Sequence, residues 1–182
     1  MNDWPTFADG GPLVLGLDPG VNRTGFALVW RDREALARLG ADKRARDEPL
    51  ARRFARLADL AHDLVADRRP DLVVVEQQVN MRGHARANET AFWMLVAGAL
   101  RGFDRLGCPP RLVQMNPLSL KVFVMGKGGG RSPTATVRGE AVRRWPQALT
   151  GCEGEDEAMA CCLAQAGLAY LAGEEVPLVY IL

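Results

Sequence analysis

Three acidic residues stand where acids are costly. Asp18 closes the apolar run Leu13-Val14-Leu15-Gly16-Leu17, Glu76 closes Leu72-Val73-Val74-Val75, and Asp156 opens a long apolar stretch. A carboxylate set against a core has to be paired, hydrogen-bonded or bound to a cation. Acids that end separate strands can converge at one edge of a sheet. There they repel one another unless a divalent cation joins them. Mg²⁺ suits such a site, because it binds a few carboxylates and keeps several waters. Two such ions about 3.5–4 Å apart can clamp the attacking and leaving oxygens of a phosphodiester. One strand-terminal acid is weak evidence. Three of them, with the basic Gly-rich stretch Gly126-Lys127-Gly128-Gly129-Gly130-Arg131 between the second and third, point to phosphoryl chemistry. That stretch lacks a preceding strand and a G-K-[ST] ending, so it is not a P-loop. A mobile phosphate-contacting loop is the better expectation.

The charge distribution agrees. The 182 residues carry a net charge of only +1. Residues 1–149 hold all 23 basic side chains and 16 acidic ones, and residues 150–182 hold six acidic and no basic ones. From Lys121 to Arg144 there are six Lys/Arg against the single Glu140. A basic surface beside a concentrated acidic spot fits a protein that attracts phosphates and also holds a metal ion. The clustered Arg44, Arg46, Arg52, Arg53 and Arg56 are interleaved with acids and read as a solvated face. Hydrophobic residues at 48% and charged residues at 25% describe a globular chain. No apolar run reaches the ~18–20 residues of a membrane span. The N-terminus shows no secretory pattern, and Cys108, Cys152, Cys161 and Cys162 show no CxxC spacing. Reduced cysteines and a cytoplasmic location are the expectation.

The elements that must position these residues follow from periodicity. Residues 1–11 read as an irregular leader and 12–182 as one domain. Residues 13–18 and 24–30 read as a strand hairpin, and residues 31–48 are ambiguous, with room for a third edge strand. Leu50, Phe54, Leu57, Leu60, Ala61, Leu64 and Val65 fall at helical spacing, and Pro70 closes the segment. Residues 72–76 form a buried strand, 86–106 a long helix, 112–115 another strand and 117–124 a short helix. Two more helices span 134–145 and 156–171, and the apolar tail 176–182 docks or extends. Strands first, then alternating helix and strand, give a mixed α/β sheet.

The stretch Gly16-Leu17-Asp18-Pro19-Gly20-Val21-Asn22-Arg23-Thr24-Gly25 resembles the first motif of the RuvC Holliday-junction resolvases, within the RNase H-like nucleases. Val74-Val75-Glu76-Gln77 resembles the second. Leu120-Lys121 through Gly126, with the basic loop to Arg131, resembles the third, and Asp156-Glu157-Ala158-Met159-Ala160 the last. Their shared order covers residues 13–172. The resemblance implies an RNase H-like α/β fold, a mixed five-stranded sheet flanked by helices. It implies a Mg²⁺-dependent endonuclease (Mn²⁺ an alternative, two ions) acting on branched DNA such as a four-way junction, in recombination and repair. It also implies a homodimer, for which the helix at 86–106 is the candidate interface. Asp18, Glu76 and Asp156 would hold the metal, with Glu157 or Glu153 helping, and Lys121 would lie near the scissile phosphate. Lys127 and Arg131 would neutralise the DNA backbone, and Arg82 and His84 follow Glu76 in a polar stretch that could touch DNA.

The last motif departs from the pattern of two acids three residues apart. With Asp156 as the first acid, Met159 falls on the second. With Glu157 as the second, Gly154 falls on the first. Glu153 and Asp156 keep the spacing but shift the Ala-rich stripe that follows. Two other functions stay open on sequence: a catalytically silent DNA-binding relative, and an actin-like or sugar-kinase ATPase domain.

Overall fold

Strand β1 (Leu13–Asp18) runs antiparallel to β2 (Arg23–Trp30), which pairs in turn with β3 (Leu36–Lys43). On the other side of β1 lie β4 (Leu72–Glu76) and β5 (Leu112–Met115), both parallel to it. The computed structural model describes residues 11–31, 36–78, 85–149, 152 and 154–181. All but Gly11 of the expected leader lies outside these. The sheet has six strands where five were expected. The C-terminal tail forms β6 (Leu178–Tyr180), which pairs antiparallel with β5 and covers what would otherwise be an open edge. The ambiguous stretch supplies β3.

Helices cover both faces. Helices α1 (Leu50–Arg68) and α2 (Ala85–Leu106) pack together on one. On the other lie α3 (Pro117–Met125), α4 (Thr134–Arg144), the short α5 (Pro146–Leu149) and α6 (Glu155–Leu171). Successive side chains of a strand point to opposite faces, and the two cores divide accordingly. Leu13, Leu15, Leu17, Val73 and Val75 pack with α1 and α2, whereas Val14, Leu72 and Val74 pack with α6. Ten of the 17 residues of α6 are buried, including Cys161 and Cys162. All four cysteines are free thiols, and Cys108 alone is exposed. Among the described residues no helix is long and apolar enough to cross a membrane.

Two glycines set the depth of α6. A Cβ at Gly16 would lie 2.0 Å from the Ala160 carbonyl oxygen, and one at Gly25 would lie 2.1 Å from that of Asp156. Both obstacles are backbone, so a side chain at either position must lift the helix. Gly25→Ala is therefore expected to destabilise the fold by about 1–3 kcal/mol, read as a lower urea midpoint. Gly139→Ala, which meets nothing within 4 Å inside α4, is the contrast. It should raise the midpoint by the helix preference of Ala over Gly, about 0.5–1 kcal/mol.

Candidate metal centre

Strand parity brings the first two acids together. Asp18 shares the α6 side of β1 with Val14 and Gly16. Glu76 shares that side of β4 with Leu72 and Val74. The parallel register pairs Gly16 with Val74 and Leu17 with Val75, so Asp18 and Glu76 end neighbouring strands at the same level. Both are partly buried and linked by a side-chain hydrogen bond. The N-terminus of α6 brings Asp156 over this strand end. Asp18, Glu76 and Asp156 line one cleft of about 370 Å³, with Lys121 and Met159.

The carboxyls are perturbed as a crowded, desolvated group must be. Burial pushes Asp18 well above the usual carboxylate range, and the charges of Glu76 and Asp156 push it further. Burial also raises Glu76, to about 7, against the opposing pull of its hydrogen bond with Asp18 and the charge of Lys121. Asp156 is raised by burial as well, although Arg23 draws it down. A cation among these oxygens would relieve both the desolvation and the repulsion.

Glu157 sits elsewhere. Neighbouring helical residues diverge by ~100°, and Glu157 is turned to Arg23, which makes a two-oxygen ion pair with it. Arg23 Nε also stands 2.8 Å from Asp156 Oδ2. Met159 is buried, and its side chain helps to line the cleft. Glu153, Arg82 and His84 lie outside the described residues.

The basic candidates lie on α3 and the loop after it. Asn116 caps this helix by accepting from the Leu118 N–H (2.8 Å), and Pro117 follows at the first turn. Lys121 faces the cleft and donates to the Ser132 carbonyl (3.0 Å), so it ties the Gly-rich segment to the site. That segment is less open than its composition suggested. Residues Gly129–Arg131 form a 3-10 turn, with Gly129 buried against Met125. Lys127 and Arg131 are exposed beside it.

Several positioning residues escape a linear reading. Gln78 donates to the Pro19 carbonyl (3.1 Å), and Asn88 of α2 accepts from the Val21 N–H (3.2 Å). Arg53 lies on the segment read as a solvated face, yet it is fully buried. It donates to the carbonyls of Gly20, Val21 and Asp42 and pairs with the Asp42 carboxylate. Together they hold the turn that follows Asp18. Their partners in and around that turn are 29 to 67 residues away, so only the apolar spacing around Arg53, which puts it near the buried stripe of α1, could have hinted at any of them.

No family model matches the sequence. Among curated proteins, the crossover junction endodeoxyribonuclease RuvC of Aromatoleum aromaticum is 30% identical over 163 residues, 84% of this chain and 80% of that protein. The protein of the same name from Zymomonas mobilis is 30% identical over 122 residues, 64% of this chain and 68% of its own. That of Chlorobaculum parvum is 28% identical over 126 residues and is matched over 63% of its length. Among solved structures, Thermus thermophilus RuvC in complex with a Holliday junction substrate superposes with a TM-score of 0.70 at 19% identity, covering 91% of this chain and 99% of that one. The yeast mitochondrial Holliday junction resolvase Ydc2 gives 0.61 at 14%, covering 93% and 82%. At these identities the structural likeness establishes the RNase H-like fold.

Proposed function

The chain belongs to the RuvC family of crossover junction endodeoxyribonucleases, and from that premise we propose that it resolves four-way or otherwise branched DNA by hydrolysing phosphodiesters at the Asp18–Glu76–Asp156 cleft. The observation that carries this is the convergence of those three acids beside Lys121 in one cleft. An all-carboxylate oxygen set without thiolate or imidazole suits Mg²⁺, or Mn²⁺ in its place. Asp18 and Glu76 would hold the ion, with Asp156 at its side. When bound, such an ion supplies a Lewis acid for a phosphodiester oxygen and lowers the pKa of water.

The protein's own side chains do the rest. Lys121 sets a positive charge beside Glu76, where a phosphate entering the cleft would meet it. Lys127 and Arg131 present exposed cations on the loop that Lys121 anchors, placed to carry the flanking backbone. A junction offers two opposed strands, so a homodimer that cuts both is the natural arrangement. Trp93, half exposed on α2, is the contact proposed for it. Four free thiols are compatible with a reducing cytoplasm, the location proposed for it.

The test is direct. A four-way junction and a linear duplex are incubated with Mg²⁺, Mn²⁺ or EDTA, beside Asp18→Asn and Glu76→Gln. Paired, metal-dependent nicks on the junction that need both acids are expected. Cleavage that survives both substitutions overturns the reading, and binding without any cleavage favours a silent relative.

Binding should also weaken steeply with salt. Each phosphate neutralised by a Lys or Arg adds about −0.9 to the slope of log K against log salt. Replacing Lys127 and Arg131 by Ala should flatten the slope by that amount for each phosphate no longer neutralised, with little change in junction preference. Fluorescence anisotropy across a salt series measures it, and flat wild-type binding counts against the DNA-binding role.

A further inference from the structure

Arg23 and Gly154 together carry one more inference, which rests on the nuclease reading above. Arg23 opens β2, and its guanidinium reaches the first turn of α6. There it pairs with both oxygens of Glu157, while its Nε stands 2.8 Å from Asp156 Oδ2. That Nε is buried and lacks a hydrogen bond of good geometry, so its contact with Asp156 is one of charge. One fixed cation thus faces two carboxylates.

Position 154 makes the room. A Cβ there would lie 2.0 Å from Arg23 Nη2 and 1.7 Å from Glu157 Oε2. The family pattern has an acid three residues before its last acid, and with Glu157 as the last, that place is Gly154. On that alignment a carboxylate is missing where the Arg23 guanidinium lies. The site then differs by two charge units from one with an acid at 154 and a neutral residue at 23, and two units is the charge of one divalent ion. Among the described residues no three His, Cys, Asp or Glu side chains are arranged to hold a metal, so Asp18 and Glu76 are the pair that meets, and Asp156 lines the same cleft without joining them.

We propose that Arg23 is a resident cation standing in place of one of the two metal ions, so that the centre takes a single divalent ion at Asp18 and Glu76. A guanidinium suits the post, since it keeps its charge at any working pH and its planar fork matches a carboxylate. The resident charge offsets one of the two negative charges of Asp156 and Glu157 without drawing on free metal. Dependence of cleavage on Mg²⁺ should then follow one ion, with a Hill coefficient near 1.

Counting Mn²⁺ ions tests this without reference to activity. Mn²⁺ is titrated into the full chain and the free ion followed by electron paramagnetic resonance. The wild type is expected to take one ion, lost in Asp18→Asn. Arg23→Lys should keep the count at one. Arg23→Gln should admit a second, weaker ion, and Arg23→Val with Gly154→Asp should bind two ions with a spin-coupled signal. Circular dichroism checks that each variant folds, and if the double variant does not, Arg23→Gln alone decides. Two ions in the wild type overturn the proposal, as does a count of one in folded Arg23→Gln. A wild type that binds no ion, or one indifferent to Asp18→Asn, instead overturns the metal-centre reading beneath it.

Discussion

Asp18→Asn is expected to lower junction cleavage by roughly 10³-fold, equivalent to about 4 kcal/mol of barrier, while junction affinity measured in EDTA changes by only a few-fold. The variant keeps the size of the side chain and removes its charge. Binding rests on Lys and Arg side chains that meet phosphates, which the substitution leaves alone, so the loss should fall on turnover.

The same substitution should raise the melting temperature of the metal-free protein. Burial and like charges push both Asp18 and Glu76 upward, Glu76 to about 7. A group whose folded pKa exceeds its unfolded value holds its proton more tightly when folded. Stability then falls as pH rises from the ordinary carboxylate range through about 7, where Glu76 loses its proton, and goes on falling until Asp18 has lost its own. Wild-type metal-free protein should melt higher at pH 5.5 than at pH 8, and Asp18→Asn should flatten that difference. A divalent cation competes with protons for these oxygens, so added Mg²⁺ should stabilise the wild type at pH 8 and hardly at pH 5.5. Differential scanning fluorimetry across pH, with and without Mg²⁺, reads all three effects. A metal-free protein more stable at pH 8 would contradict the assignment of raised carboxyl pKa values to this cleft.

Arg53→Ala is the substitution expected to cost most stability, about 3–5 kcal/mol, against total stabilities of about 5–15 kcal/mol for domains of this kind. Arg53 is wholly buried, and its guanidinium satisfies the carbonyls of Gly20, Val21 and Asp42 as well as the Asp42 carboxylate. Truncation removes these donors from a dry interior, although the Gly20 carbonyl keeps the Thr24 hydroxyl. Asp42 keeps Arg56, which also pairs with Glu48, and this places the expected loss toward the lower end. Arg53→Lys should recover only part of it, because an ammonium on a flexible stem cannot reproduce a fork that reaches both a turn and a strand. Urea denaturation measures both. An Arg53→Ala midpoint close to wild type would mean that Thr24, Asn88 and Gln78 suffice to hold the turn after Asp18.

Much was legible in the linear chain. Apolar runs ending on Asp18 and Glu76 announced strands with costly carboxylates at their ends, and the 3.6-residue spacing in α1 and α2 placed helices between them. The shared order of motifs carried the family. The regularities of strand and helix are local, so they survive in one dimension. Elsewhere local rules failed for identifiable reasons. Residues 31–48 are charged because β3 lies at the edge of the sheet. Whether the tail docks or extends could not be read because its pairing partner, β5, lies more than 60 residues upstream. Arg53 looked solvated because its neighbours are charged, whereas one face of an amphipathic helix is buried whatever flanks it in sequence.

The sequence by itself determined which residues are costly to bury and the parity that sets Asp18 with Val14 and Glu76 with Val74. Only the tertiary structure decided what lies opposite that face. It is the parallel register of β1 and β4, with Gly16 and Gly25 admitting α6, that puts Asp156 beside the other two acids and leaves Glu157 to Arg23. Parity and periodicity are properties of a single segment. The partner of a charge depends on how distant segments pack, and no spacing along the chain encodes that a guanidinium at 23 will fill the space left by a glycine at 154.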